Sequence, residues 1–425
     1  FLLDEGIEPV FYESEYAQYY EDAVFGNPEL DAFMPDVIYL HTTFRNLKEL
    51  PSPDCSTEEA DVLARAALEK LESCWQGIHS RYHCPIIQNN YEYPPFRVLG
   101  NSEAVETQGT VRFVRILNER LAERIRRCRQ ESGPAVYLHD YNYLAARIGL
   151  DNFLDDAFWN LYKYALSMKS IPELAYSVTR IIKSLFGRNK KILALDLDNT
   201  LWGGVIGEDG VDGIELSDHK EGQRYFDFQR QLLEMKNRGI VLGIVSKNNE
   251  EDAEAAIRNH PAMLLRDDEF VSRKINWENK AINLKAMEGE LNLTEGGFIF
   301  IDDNPVERET VKGECQEMLV PDFPADTTEL LSFAEDIWFD YCRPLRVLGE
   351  DLKKTQMYQN EAKRKQEMES SLNLDDYIAK LEMVADIHRM RDSELERVVQ
   401  LINKTNQFNV TTKRYTQAEV EEIAA

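Results

Sequence analysis

Lys190-Lys191-Ile192-Leu193-Ala194-Leu195-Asp196-Leu197-Asp198-Asn199-Thr200, followed by Leu201-Trp202-Gly203-Gly204, decides how the rest of the chain is read. An apolar run opened by two lysines stops abruptly at two carboxylates spaced i and i+2. So short a run predicts a buried strand of a parallel sheet. In open α/β sheets ligands gather beyond the carboxyl ends of the strands, so Asp196 and Asp198 fall where chemistry is expected. Two carboxylates roughly 4 Å apart repel by about 4 kcal/mol at an effective dielectric of 20, so an ionised pair there calls for a cation. A solvated acidic turn is the plain alternative, and three pieces downstream argue against it.

Ile240-Val241-Leu242-Gly243-Ile244-Val245 ends in Ser246-Lys247-Asn248-Asn249, a second buried strand that delivers a hydroxyl. Phe298-Ile299-Phe300-Ile301 ends in Asp302-Asp303-Asn304-Pro305-Val306-Glu307, a third strand that delivers more carboxylates. Between them Lys280 opens a predicted helix after Ile275-Asn276-Trp277-Glu278-Asn279. Carboxylates, one hydroxyl, one ammonium and no histidine suit phosphoryl transfer with magnesium, because a hard cation takes oxygen ligands and neutralises phosphate.

In these residues the sequence resembles the haloacid dehalogenase superfamily of phosphohydrolases, whose DxDxT, S/T, K and DDxxxE motifs occur in that order. Asp196 to Thr200, Ser246, Lys280, and Asp302-Asp303 with Glu307 carry the match. The longer stretches 196–210, 246–250 and 301–309, with Thr405-Asn406-Gln407-Phe408-Asn409-Val410-Thr411, are similar to the FkbH-like branch. The resemblance covers most of the chain from about Lys190 onward. It implies that Asp196 attacks phosphorus and that Asp198 protonates the leaving oxygen, then deprotonates water. It further implies Mg2+ held by Asp196, the Asp198 carbonyl and Asp302 or Asp303. Ser246, Asn248 and Lys280 would hold the phosphoryl group, and Thr200 would orient a carboxylate or the phosphate.

The resemblance suggests a narrower role too: loading a glyceryl group from 1,3-bisphosphoglycerate onto an acyl carrier protein. No cysteine flanks Asp196, and such loading needs a thiol or equivalent acceptor. The alternatives are a plain phosphatase in cell-surface polysaccharide or secondary-metabolite biosynthesis, or a non-catalytic carrier-docking scaffold. Intact Asp196 and Asp198 argue against the scaffold. The expected substrate is a phosphorylated small molecule or an acyl phosphate.

The chain has 425 residues, enough for two or three domains. Its 49 basic and 76 acidic side chains leave a formal charge of −27, which argues against nucleic acid or an anionic membrane as partner. The six cysteines, Cys55, Cys74, Cys84, Cys128, Cys315 and Cys342, show no paired spacing and read as reduced thiols of a cytoplasmic protein. No apolar run is long enough to insert into a membrane. The start at Phe1, inside a run fit for a core, predicts a piece of a longer chain.

Residues 1–170 read as a separate α/β domain. Strands are expected at Pro9–Tyr12, Asp36–Leu40, Pro85–Ile87 and Ala135–Leu138, alternating with helices at 16–24, 57–78 and about 111–128. This region resembles the SGNH-hydrolase-like, flavodoxin-like domain that precedes the phosphatase domain in the FkbH-like family. Such a hydrolase needs a serine near the first strand and an Asp/His pair near the last. Ser14 is the early candidate, and His139-Asp140 is not a DxxH pair, so the domain reads as a binding or scaffold module.

Residues 171–345 read as the haloacid dehalogenase-type domain with a Rossmann-like parallel sheet, entered by a helix starting at Pro172. Between Thr200 and Ile240 only a glycine-rich flap and one helix fit, so no cap domain is expected. A capless site predicts a substrate presented by, or passed to, another protein. Residues 346–425 read as a polar, solvated helix (349–371) and a small α+β segment, the start of a GNAT-like domain. Its elements are a helix at 375–381, a strand at 383–387 and a helix at 393–403.

Overall fold

The computed structural model describes residues 1–130, 133–345, 349, 351–370, 386–404 and 415–424. Ile38–Leu40 (β1), Ile86–Asn89 (β2) and Val136–His139 (β3) form one parallel sheet in the order β1-β2-β3. Ile192–Leu195 (β4), Val241–Ser246 (β5), Phe270–Ile275 (β6) and Phe298–Ile301 (β7) form a second, in the order β6-β5-β4-β7. All its pairs are parallel. The fold class is therefore α/β with two parallel sheets, as the alternating strand and helix signals predict.

The chain packs as two compact units, Phe1–Arg188 with His388–Ala425, and Asn189–Ile387. This division differs from three consecutive segments. The helix Ser170–Leu185 belongs with the first unit, where Val178 and Ile181 are buried. Glu5 fastens it, pairing with Arg180 at 2.6 Å and with Lys183 at 2.8 Å. The helix Lys354–Ser370 belongs with the second unit, and its first half is not a solvated face. Tyr358 packs into the core beneath it, and Gln359 donates to the Asp268 and Phe270 carbonyls at 2.8 and 3.1 Å. That helix covers the edge strand β6, one of the ordinary ways a sheet protects an open edge.

In the first unit, the helices Thr57–Tyr82 and Thr110–Gln130 bury Leu68, Leu71, Trp75, Val114, Leu117 and Leu121 around the sheet. No strand forms at Pro9–Tyr12. Val10 and Phe11 there are 78% and 75% exposed, so the apolar pair has no sheet to join. The expected helix at 375–381, most of the strand expected at 383–387 and the 405–411 motif lie outside the described residues. No helix among the described residues is long and apolar enough to cross a membrane.

In the second unit β4 lies between β5 and β7, and all four of its residues are fully buried. Alternation sends Leu193 and Leu195 to one face, against Phe228, Leu232 and Ile257. Ile192 and Ala194 go to the other, against Leu284, Met287 and Val311. Each such Leu, Ile or Phe contributes about 1.5–3 kcal/mol by leaving water. Strand order reverses beside β4, with β5 and β6 on one side and β7 on the other. That is the switch point at which doubly wound sheets bind ligands.

Candidate active site

Register alone brings the two acidic motifs together. Leu195 pairs with Ile301, and the Asp196 amide donates to the Ile301 carbonyl at 3.0 Å. Asp196 and Asp302, the next residues on each strand, therefore leave the sheet side by side. β5 ends in Ser246, which is 1% exposed. Three of the loops beyond the sheet turn into helices through an asparagine N-cap. Asn249 accepts from the Glu251 amide at 3.3 Å, Asn279 from Ala281 at 2.8 Å and Asn304 from Val306 at 2.9 Å. Each cap satisfies an amide that the first helical turn leaves orphaned.

The middle cap starts the helix Lys280–Leu291, so Lys280 enters the site from its first residue. Its ammonium lies 2.9 Å from Asp196 Oδ1 and 2.5 Å from Asp302 Oδ2. All three side chains are less than a tenth exposed. Burial works against the Lys280 charge, but Asp196 and Asp302 outweigh it and its pKa is raised. Burial, with Asp196 beside it, pushes the Asp302 carboxyl up to about 6 against the pull of Lys280. Asp303 is raised for the same two reasons.

Asp198 stands apart from this cluster and is held differently. Its Oδ1 accepts from Trp202 Nε1 at 2.9 Å and from the Ile206 amide at 3.1 Å. Its Oδ2 accepts from Asn248 Nδ2 at 3.1 Å. Burial nevertheless raises its pKa, with Asp196 adding to the effect, so the three donors offset desolvation only in part. Asn199, at φ 53°, makes the tight turn after Asp198, and asparagine tolerates that left-handed region.

The remaining predicted residues have partners that define their work. Thr200 Oγ1 accepts from the Asp303 amide at 3.2 Å and reaches Asp303 Oδ1 at 3.5 Å, so it orients a carboxylate. Asn248 bridges Asp198 and Ser246, donating to Ser246 Oγ at 3.2 Å. Glu307 pairs with Lys247 at 2.6 Å, on the rim. Two contributors escaped the sequence reading. Trp202 grips Asp198, and Arg308 donates to the Asp302 and Asp303 carbonyls at 2.8 and 2.7 Å. Trp202 lies four residues after Asp198 in a turn-rich stretch, which is the only hint the sequence offers; Arg308 has none beyond its place in the first turn after Asp302-Asp303.

Asp196, Asp302 and Asp303 each bring an oxygen to within 4.8 Å of the others. Two buried carboxylates and the half-buried Asp303 face one ammonium, an excess of acidic groups. That acidic excess and the all-oxygen donors fit a hard divalent cation such as magnesium. Between Thr200 and the helix Gln223–Lys236 the chain forms the short helix Ile206–Asp209, a 3-10 turn at Lys220–Gly222, and bridges from Trp202 to Asp198 and from Gly203 to Glu215. Ile206, Ile214 and Leu216 fold back into the core, so this interval holds no cap.

In the first unit the hydrolase candidates do not converge. Ser14 is exposed in an irregular segment. His139 Nε2 shares a hydrogen bond of 2.9 Å with Ser177 Oγ, and Asp140 caps the helix Tyr141–Ile148 while accepting from Asn90 at 2.8 Å.

Residues 3–183 match the family model of the FkbH N-terminal domain. No curated protein matches the chain. The structure is similar to that of the N-terminal part of BF1531 from Bacteroides fragilis, which contains a phosphatase domain and is complexed with Mg. The TM-score is 0.69 at 26% identity, over 79% of this chain and 86% of that one. S. aureus MnaA in complex with UDP aligns over 91% of this chain and 89% of that one, but at a TM-score of 0.21 and 10% identity it carries no argument. Residues 3–183 are thus similar to the FkbH N-terminal domain, and the chain as a whole is similar in structure to a protein that contains a phosphatase domain.

Proposed function

We propose that the chain is a magnesium-dependent phosphohydrolase or phosphotransferase that works through an aspartyl-phosphate on Asp196. The observation that carries this reading is the group of buried Asp196, Lys280 and Asp302 with half-buried Asp303, and Asp198, two residues after Asp196, in a separate hydrogen-bonded setting. Two acids whose surroundings differ so much are fitted to different tasks. The Asp196 carboxylate attacks phosphorus while the bond to the leaving oxygen breaks, and Asp198 gives that oxygen its proton. Asp198 then takes a proton from water, the water oxygen attacks phosphorus, and the bond to Asp196 breaks to release phosphate.

Ser246 and Lys280 hold phosphoryl oxygens, and the ammonium offsets their charge. Asp196, Asp302, Asp303 and the Asp198 carbonyl would hold the cation, which supplies electrostatic stabilisation of the transferring group. Thr200, Asn248, Trp202 and Arg308 keep these groups in place.

The match of residues 3–183 to the FkbH N-terminal domain favours a second reading, transfer of an acyl group such as glyceryl from a phosphorylated donor to an acyl carrier protein, with the phosphate released. Cys315 and Cys342, the cysteines of the second unit, are 1% and 2% exposed, and burial raises the Cys315 pKa. The acceptor thiol would therefore come from the carrier. The test is magnesium-dependent release of phosphate from acetyl phosphate and p-nitrophenyl phosphate, with and without carrier protein. Asp196→Asn should abolish it while the circular dichroism spectrum stays that of the parent; unchanged turnover would refute the nucleophile assignment.

A further inference from the structure

Resting on the phosphohydrolase reading, we propose that Lys247 is a specificity-determining residue. It exchanges its partner Glu307 for a second anionic group on the substrate, a further phosphate or a carboxylate beyond the phosphoryl group that Asp196 attacks. The ion pair between Lys247 and Glu307, 2.6 Å long, joins the two sides of the site, and the order of the strands decides where it runs.

Lys247 follows Ser246, the last residue of β5, and Glu307 lies in the first turn of the helix Pro305–Glu314, which follows β7. β4 stands between those two strands. Neighbouring strands are about 4.8 Å apart, so the pair closes a gap of roughly 10 Å across the end of β4, where Asp196 leaves the sheet. It also crosses on the side to which Asp196 points. Val245 of β5, Ile192 and Ala194 of β4, and Phe298 and Phe300 of β7 share one core face with Val311 of the Glu307 helix. Side chains alternate along a strand, so Lys247, Asp196 and Asp302 continue that face. Lys280 reaches Asp196 and Asp302 from the helix whose Leu284 and Met287 pack on it, in agreement with this direction.

The residues on either side of Lys247 attend to the two ends of the bond to be broken. Ser246 is assigned to the phosphoryl oxygens, and Asn248 donates to Asp198, the acid assigned to the leaving oxygen. Lys280 is held by two buried carboxylates and Arg308 by the Asp302 and Asp303 carbonyls, so neither can turn to an outer group of the substrate. Lys247 is held by one carboxylate and its side chain is 35% exposed, so its ammonium can change partners while the fold stays intact. An ion pair so placed adds little to stability. A substrate anchored at the metal presents its outer group beside that ammonium, and a phosphate or carboxylate there offers the same charge-assisted bond as Glu307.

Kinetics of the protein with magnesium test this on three compounds. p-Nitrophenyl phosphate has no second anionic group, fructose 1,6-bisphosphate has a second phosphate, and 3-phosphoglycerate has a carboxylate. The parent should show a lower KM for at least one of the last two than for the first, and the one with the lower KM identifies the second group. Lys247→Met should raise that KM about tenfold, the lower end for a hydrogen bond between charged groups because the ammonium is partly exposed. It should leave kcat and the p-nitrophenyl phosphate KM unchanged, and Lys247→Arg should keep most of the parent's preference. Glu307→Gln removes the competing carboxylate and should move the preference further toward the doubly anionic compound. The proposal is overturned if the parent's lowest KM is for p-nitrophenyl phosphate, or if Lys247→Met raises every KM alike or none. It is equally overturned if Glu307→Gln weakens the doubly anionic compound as Lys247→Met does, the pattern of a purely structural ion pair. If the parent turns over none of the three, the phosphohydrolase reading itself fails, a distinct result.

Discussion

Replacing Lys280 by methionine removes the one ammonium that separates Asp196 from Asp302 and leaves the volume nearly filled. The two ion pairs, 2.9 and 2.5 Å long, lie between side chains at most 8% exposed. Removing one partner of so buried a pair costs about 3–5 kcal/mol, because the other charge stays uncompensated. The unit runs from Asn189 to Ile387, about 200 residues. For a unit of that size each kcal/mol moves Tm by about 2–4 °C, so the metal-free variant should melt roughly 6–20 °C lower at pH 8. Two conditions should shrink the loss. Acid does so because Asp302, already raised to about 6, takes up a proton more readily once Lys280 is gone. Magnesium does so because it replaces the missing positive charge. Thermal melts of parent, Lys280→Met and Lys280→Arg at pH 8 and 5, with and without magnesium, give the comparison. A Lys280→Met loss that neither acid nor magnesium reduces would refute the electrostatic account, and no loss at all would refute the packing.

Two further outcomes follow from the same cluster. The folded-state pKa of Asp302 lies above the unfolded value of 3.8, so its contribution to metal-free stability is full below about pH 4 and is lost as pH rises through about 6. Magnesium should therefore raise Tm most above pH 6 and little near pH 4, as melts in a pH series will show; an equal rise across the series would contradict the assignment. Arg308→Met frees the carbonyls of Asp302 and Asp303, and by analogy with outer-shell partners of metal ligands should weaken magnesium binding about 10–100-fold in calorimetric titration, with the fold retained.

The central strands were legible because they are buried on both faces and read as unbroken apolar runs, as β4 and β7 do. The acidic and hydroxyl side chains that the structure gathers at one end of the sheet were legible because they sit at the ends of those runs. β6 was not, since Ser272, Arg273 and Lys274 interrupt its apolar pattern. It is an edge strand, and the helix that covers it reads as a polar charge run for the same reason. The false strand at Pro9–Tyr12 shows the converse: a short apolar run carries no information about whether a sheet lies within reach. At the site, residue types predicted chemistry better than duty. Asn248, expected at the phosphoryl group, donates to Asp198, and of the two duties expected of Thr200 the structure shows the carboxylate, Asp303. Trp202 and Arg308 went unread because their work depends on where a tight turn and a helix start place them.

The most direct test of an aspartyl-phosphate on Asp196 is to trap it. The protein mixed with acetyl phosphate and magnesium, quenched in acid within the first turnover and digested, should yield the peptide containing Asp196 with the added mass of one phosphoryl group. That mass should be absent from Asp196→Asn and should persist longer in Asp198→Asn, which lacks the base for the second step. Rapid magnesium-dependent phosphate release by a parent protein that never carries the phosphoryl group, or a label on any residue other than Asp196, would contradict the account.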